Sequence, residues 1–350
     1  MVIKIISAIT ILSVLFATNA SAASVELSLS AESAALLNAQ TGELIYDKNA
    51  SNKQSMASTT KIMTSLLAIE SGKLSNEITV TEDMIKVEGT SMGLLAGDSV
   101  SLDELVHGML LQSGNDSANA AAIYLGGSVD AFVQTMNRRA SEIGMLNTSF
   151  ETPSGLDGKN HYSTAYDMAL LGAQAIRNPK FLSVCSKRKA TLTYGNPPYQ
   201  RTLYNHNRLL EKYDYVYGIK TGFTKKSGRC LVSYAVNNGV ELIAVTLNAP
   251  DDWSDHKKLF DYGFNSVQSV ELKPELPDRV RIVGTDKDFV AIESKNCYYS
   301  VNSFKNIEYR IFLPAFVYSS VEKGQVIGWW SAYIDGKAVA TVDIVVAENI

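Results

Sequence analysis

After Phe264 the chain stops mixing helical and strand patterns and reads as strand alone. This switch limits the folds open to it. Upstream, Ala35–Asn38 and Leu44–Asp47 flank Ala39-Gln40-Thr41-Gly42, a strand, turn and strand. Ile62, Met63, Leu66 and Leu67 then recur at three and four, which predicts a helix from Ser58 with one buried face. Further helices are expected over 102–111, 117–125, 166–176 and 257–264, and strands over 215–219, 230–236 and 242–247. Downstream, Pro274 and Pro277 mark a linker. Residues 279–283, 289–292 and 307–313 are rich in branched and aromatic side chains. The runs 327–334 and 338–346 meet at Asp335-Gly336, a hairpin signal. The periodicity implies a mixed α and β part over 23–265 and a small all-β domain over 270–350.

Residues 1–22 read as a secretory signal peptide. Lys4 precedes the apolar run Ile5–Phe16, and Ala20-Ser21-Ala22 offers a small-residue cleavage pattern. The run is shorter than the ~20 residues a spanning helix needs. An exported chain is expected. Its three scattered cysteines, Cys185, Cys230 and Cys297, fit free thiols better than a disulfide framework or a closed zinc site. With only four histidines, no metal or other cofactor is expected. The 32 basic and 36 acidic residues give a net charge of −4, so no nucleic-acid partner is expected either.

Three short motifs could carry chemistry. In Ser58-Thr59-Thr60-Lys61 the serine and lysine share one helical face. A serine hydroxyl needs a base to become a nucleophile. A lysine can be that base if burial or a neighbouring cation lowers its pKa. Ser-x-x-Lys recurs at Ser186, Ser254 and Ser320, but only the Ser58 copy opens into an apolar helix. Ser113-Gly114-Asn115 follows an apolar run, where the serine could pass a proton to a leaving amine and the asparagine could hold a substrate amide. Lys220-Thr221-Gly222 closes the strand 215–219; its amine and hydroxyl suit a carboxylate. Lys226-Ser227-Gly228 is better read as the next turn.

The ordered set Ser-x-x-Lys, Ser-x-Asn, Lys-Thr-Gly is the pattern of penicillin-binding proteins and class A β-lactamases. With Pro153-Ser154-Gly155-Leu156-Asp157, Ser163-Thr164-Ala165-Tyr166-Asp167 and Gly218–Thr224, the chain resembles the serine-type D-alanyl-D-alanine carboxypeptidases, the low-molecular-mass penicillin-binding proteins of bacteria. The resemblance implies an α/β (α+β) fold: a β-lactamase/transpeptidase-like domain with an antiparallel sheet flanked by helices, then the β domain. It implies removal of the terminal D-alanine from peptidoglycan stem peptides, with β-lactams as inhibitors. Ser58 would be the nucleophile, Lys61 its base and Ser113 the proton relay to the leaving amine. Asn115, Lys220, Thr221, Gly222 and Phe223 would bind substrate, with the Ser58 and Phe223 N–H groups as oxyanion hole. Members often end in an amphipathic membrane helix, whereas this sequence stops straight after a strand, so membrane association is doubtful.

Three other readings compete with this one. A class A β-lactamase would need a deacylating glutamate, and Glu142, Glu151 and Glu211 lack its sequence setting. Gly89-Thr90-Ser91-Met92-Gly93 fits a hydrolase elbow, but Gly97-Asp98 breaks the chain soon after. A non-catalytic wall-binding protein would not need the intact set. The Trp329-Trp330 pair is read as buried core; His107, His161, His206 and His256 receive no catalytic role, and Asp116 and Asp157 could be structural caps.

Overall fold

The computed structural model describes residues 26–301 and 306–350. The expected signal peptide at 1–22 lies outside the described residues. The centre is a five-stranded antiparallel sheet in the order Leu44–Lys48, Ser33–Asn38, Val240–Leu247, Gly228–Asn237, Val216–Thr224. Its inner strands are continuous apolar runs because both faces are covered. Alternate side chains of one strand point to opposite faces. Ala35 and Leu37 enter one core, packed with Ile62 and Met63, and Ala34 and Leu36 enter the other, packed with Leu259 and Phe260. The helices Lys61–Glu70 and Ala165–Ile176 belong to the first side, and Asp252–Ser266 covers the second.

The helix Lys61–Glu70 is buried nearly all round, so it is an internal helix and not an amphipathic surface one. The expected helix at 102–111 changes character midway. Leu102–His107 opens with a capping box between Ser101 and Glu104, then widens into a π-helical turn over Gly108–Gln112. A Cβ at Gly108 would lie 2.4 Å from Met92 Sδ and 2.5 Å from Ser117 Oγ, so this crossing is built around a residue without a side chain. The turn ends at Ser113, whose φ of 62° is left-handed, and the chain re-enters a helix at Asn115–Gly126.

Two expectations require correction. Lys220-Thr221-Gly222 does not close its strand but lies inside Val216–Thr224. The strand continues because Lys220, Thr221 and Gly222 pair with Val232, Leu231 and Cys230, and the turn comes at 225–227. This is an edge strand, so its other side is open to a ligand. The second correction concerns Trp329-Trp330. Trp330 is buried at 1% exposure in a core with Val290 and Ile344, while Trp329 is 40% exposed and stacks on Phe312. Neighbours on a strand face opposite ways, so one of the two had to point outward.

Past Ser266 every regular element among the described residues is a strand. Six of them form the order Ile307–Phe312, Val326–Ile334, Lys337–Val346, Phe289–Ser294, Arg279–Val283, Phe316–Tyr318. Asp335 and Gly336 both have positive φ, 51° and 75°, as a tight two-residue hairpin turn requires.

Candidate active site

The site grows from a short 3-10 turn, Ala57–Thr60, that feeds the internal helix. Ala57 is held at φ 47°, an unfavourable value for a residue with a Cβ. Two hydrogen bonds sustain it. Thr59 Oγ1 donates to the Met56 carbonyl at 2.6 Å, and Thr60 Oγ1 donates to the Ala57 carbonyl at 2.8 Å. Two glycines then press in. A Cβ at Gly222 would sit 3.0 Å from the Ser58 nitrogen, and one at Gly155, itself at φ 86°, would sit 2.0 Å from the Ala57 oxygen. The edge strand and the 151–161 loop thus fix the backbone that carries Ser58.

Lys61 is wholly buried, and its Nζ has three neighbours: Ser58 Oγ at 2.9 Å, Asn115 Oδ1 at 2.6 Å and the Ser154 carbonyl at 2.6 Å. Burial pushes its pKa well below the ordinary lysine value of 10.5, and the nearby Lys220 pushes the same way, against an opposing pull from Asp116. A neutral amine has two hydrogens and one lone pair. The Asn115 and Ser154 oxygens are acceptors only, so they take both hydrogens. In the neutral form the lone pair would then face the Ser58 hydroxyl.

The opposite wall holds Ser113 and Asn115. The Asn115 amide is oriented from both ends, since Oδ1 accepts from Lys61 while Nδ2 donates to the Glu88 carbonyl at 2.6 Å. Asp116 is buried and gathers the N–H groups of Met92, Gly93 and Leu94 together with the Ser91 hydroxyl. It is therefore a clamp on the 90–94 loop. Ser91 is spent on that clamp, in a segment that is neither strand nor helix, which removes the hydrolase-elbow reading. Asp157 is exposed.

Between these walls lies a cleft of about 360 Å³. Of the residues expected from the sequence, Ser58, Ser113, Thr221, Gly222 and Phe223 line it. Lys61, Asn115 and Lys220 stand behind the lining. Lys220 is only 1% exposed and donates to the Thr221 carbonyl at 2.8 Å. Phe223, by contrast, is 65% exposed. Sequence reasoning missed Thr90, His206, Arg208, Arg229, Asp252 and Trp253, which also line the cleft. Arg229 donates to Asp252 Oδ1 from two nitrogens, at 3.0 and 2.8 Å, and lies over the Trp253 ring. None of Glu142, Glu151 or Glu211 lines the cleft: Glu142 pairs with Arg139, Glu151 accepts from the Asn160 N–H, and Glu211 is exposed. Among the described residues no cluster of three His, Cys, Asp or Glu side chains could hold a metal ion, and the three cysteines are free.

Burial also lowers the Lys220 pKa, to about 7. The unfolded chain then keeps this proton up to about pH 10.4 while the folded chain releases it near 7. Stability rises with pH wherever the unfolded state binds more protons. Lys220 should therefore make the fold more stable as pH climbs from about 7 towards 10. Urea unfolding of wild type and Lys220→Met across that range checks this: the variant should show the shallower rise.

The chain has counterparts among known proteins. The family model for D-alanyl-D-alanine carboxypeptidases, peptidase S11, matches residues 17–251. The chain belongs to this family. The D-alanyl-D-alanine carboxypeptidase DacF of Bacillus subtilis is 29% identical over 343 residues, covering 93% of this chain and 87% of that protein. The D-alanyl-D-alanine carboxypeptidase DacC of Escherichia coli is 33% identical over 340 residues, covering 90% and 83%. Among solved structures, penicillin binding protein 5 from Haemophilus influenzae matches with a TM-score of 0.67 at 30% identity, over 93% of this chain and 98% of that one. The Streptomyces K15 DD-transpeptidase matches with a TM-score of 0.66 at 28% identity; 69% of this chain covers 99% of that one. As a serine hydrolase of the D-alanyl-D-alanine carboxypeptidase family, the chain shares the fold expected from its motifs, an antiparallel sheet flanked by helices with strands following.

Proposed function

We propose that this carboxypeptidase family member removes the terminal D-alanine from peptidoglycan stem peptides through an acyl-enzyme on Ser58. The observation that carries this reading is the Lys61 amine, buried, 2.9 Å from Ser58 Oγ, with its pKa pushed well below 10.5 by burial and by Lys220. Lys61 takes the hydroxyl proton as Ser58 Oγ attacks the carbonyl carbon of the penultimate D-alanine. The Ser58 and Phe223 N–H groups receive the oxyanion, at a point where Gly222 brings the edge strand against the Ser58 nitrogen. The C–N bond breaks, and the leaving amine receives a proton by way of Ser113. Free D-alanine departs, and an ester on Ser58 remains. Water then hydrolyses the ester. A β-lactam reacts by the same attack, and its opened ring stays on Ser58.

Asn115 orients the peptide. Lys220 and Thr221 supply the charge and hydroxyl for the substrate carboxylate; Arg208 and Arg229 also line the cleft, Arg229 with its charge paired to Asp252. The chain works outside the cytoplasm after loss of residues 1–22. Among the described residues no helix is long and apolar enough to cross a membrane. The division into a catalytic domain over 23–265 and a β domain over 270–350 agrees with the Streptomyces match, where 69% of this chain accounts for nearly a whole enzyme. The test is direct. Purified protein lacking 1–22 is incubated with a pentapeptide ending in D-Ala-D-Ala, and free D-alanine is measured. Stoichiometric release with a penicillin adduct on the Ser58 peptide is expected; an adduct without D-alanine release would refute the carboxypeptidase assignment.

A further inference from the structure

His161 has no assigned role, yet it is buried against the turn that carries the nucleophile. Its two ring nitrogens are committed in opposite senses. Nδ1 accepts the backbone N–H of Glu151 at 3.0 Å. Nε2 lies 2.8 Å from Thr60 Oγ1. The Thr60 hydroxyl has a single proton, and it goes to the Ala57 carbonyl. Nε2 must therefore be the donor, and this agrees with Nδ1 as acceptor, so both ends of the ring require the same neutral tautomer. The result is one directed chain, from the Glu151 N–H through the imidazole and the Thr60 hydroxyl to the Ala57 carbonyl.

The end point of that chain gives it meaning. Ala57 immediately precedes Ser58, and its backbone is in the left-handed region at φ 47°. Such a conformation persists only where its surroundings over-determine it. We propose that His161 is a positioning residue for catalysis, holding Ala57 and hence Ser58 in attacking register through Thr60. The ring spans two parts of the same loop, since Glu151 and His161 bracket Ser154, whose carbonyl takes a Lys61 hydrogen. One imidazole thus ties the backbone beside the nucleophile to the loop that orients its base. Burial keeps the ring neutral by lowering its pKa to about 4, despite the opposing pull of Glu151 and Asp157. The ring is also a donor at one end only, so a side chain that donates without accepting should preserve the catalytic half of its task.

This inference rests on Ser58 being the nucleophile. The experiment measures penicillin acylation by stopped flow, separating the non-covalent binding constant from the first-order acylation step. His161→Leu should slow the acylation step about tenfold or more and leave binding within about twofold. His161→Gln, which can donate to Thr60, should recover most of the rate. His161→Asn, which keeps an acceptor near Glu151 but cannot reach Thr60, should not. Thr60→Val should match His161→Leu, and the double variant should be no slower than either alone. A wild-type rate in His161→Leu, a loss confined to the binding constant, or equal rates in the Gln and Asn variants would overturn the proposal. If His161→Leu fails to fold, the Gln and Asn pair decides alone. Ser58→Ala is the parallel control: labelling that survives there refutes the nucleophile assignment, whereas labelling lost there with His161 variants unaffected refutes only the role of the imidazole.

Discussion

Replacing Ser58 with alanine will reduce covalent labelling by a fluorescent penicillin to background and lower turnover on the order of 10⁴-fold or more, a scale known for losing a serine nucleophile. Thermal unfolding should move little, because Ser58 is only partly buried and its side chain has one hydrogen-bond partner, the Lys61 amine. The prediction discriminates because other serines stand close by. Ser113 lines the same cleft, and Ser91 lies on the neighbouring loop. Ser91 is already engaged by Asp116, and neither has a deprotonated amine beside it among the bonds described. Gel fluorescence and intact mass check the result together. An adduct that persists in Ser58→Ala and maps to another serine would contradict it.

The second large effect concerns Lys61. Lys61→Ala should slow the acylation step by about 10²–10⁴-fold, the range for a lost general base. The side chain serves chemistry more than packing. Its amine costs desolvation to bury, and an apolar residue would fill the space without that cost. The site keeps it by providing two acceptors and a neighbouring Lys220 that discourages protonation. Penicillin should still bind non-covalently, since the cleft lining does not include Lys61. Single-turnover kinetics separates the two effects: the loss belongs in the first-order step, and a loss found in binding would assign Lys61 to substrate recognition instead.

How far these features were readable from sequence depended on how local their causes are. The internal helix was legible because Ile62, Met63, Leu66 and Leu67 recur on its period. The helix Val129–Ile143 carried an equally clear signal that went unused: Phe132, Met136 and Ala140 form its buried stripe, Ser128 caps its start and Gly144 ends it. The Lys-Thr-Gly segment was misjudged because its extended form comes from pairing with Leu231 and Val232, about ten residues away, and not from its own propensity. The motif residues Ser58, Lys61, Ser113 and Asn115 were legible as a pattern, and the resemblance implied a neutral Lys61 helped by Lys220, but how that state is held was not legible. That state depends on Ser154, Lys220 and Asp116, which only the fold assembles. Arg208, Arg229, Asp252 and Trp253 belong to no local motif, and they share a cleft because the start of the short helix Leu209–Lys212, the strand Gly228–Asn237 and the start of the helix Asp252–Ser266 converge there. His161 looked idle in sequence because its meaning lies in Glu151 on one side and Thr60 on the other.

The pH dependence of penicillin acylation tests the central claim most directly, because only an unprotonated Lys61 has a lone pair for the Ser58 proton. The active form is the neutral amine, so the rate must fall as pH drops below the lowered Lys61 pKa and must stop rising above it. Burial and Lys220 place that pKa well below 10.5. The wild-type rate constant should therefore rise with pH, reach its plateau well short of 10, and lose this limb in Lys61→Ala. A rate that keeps climbing tenfold per unit through pH 10, as it would for an ordinary solvated lysine, would contradict the account.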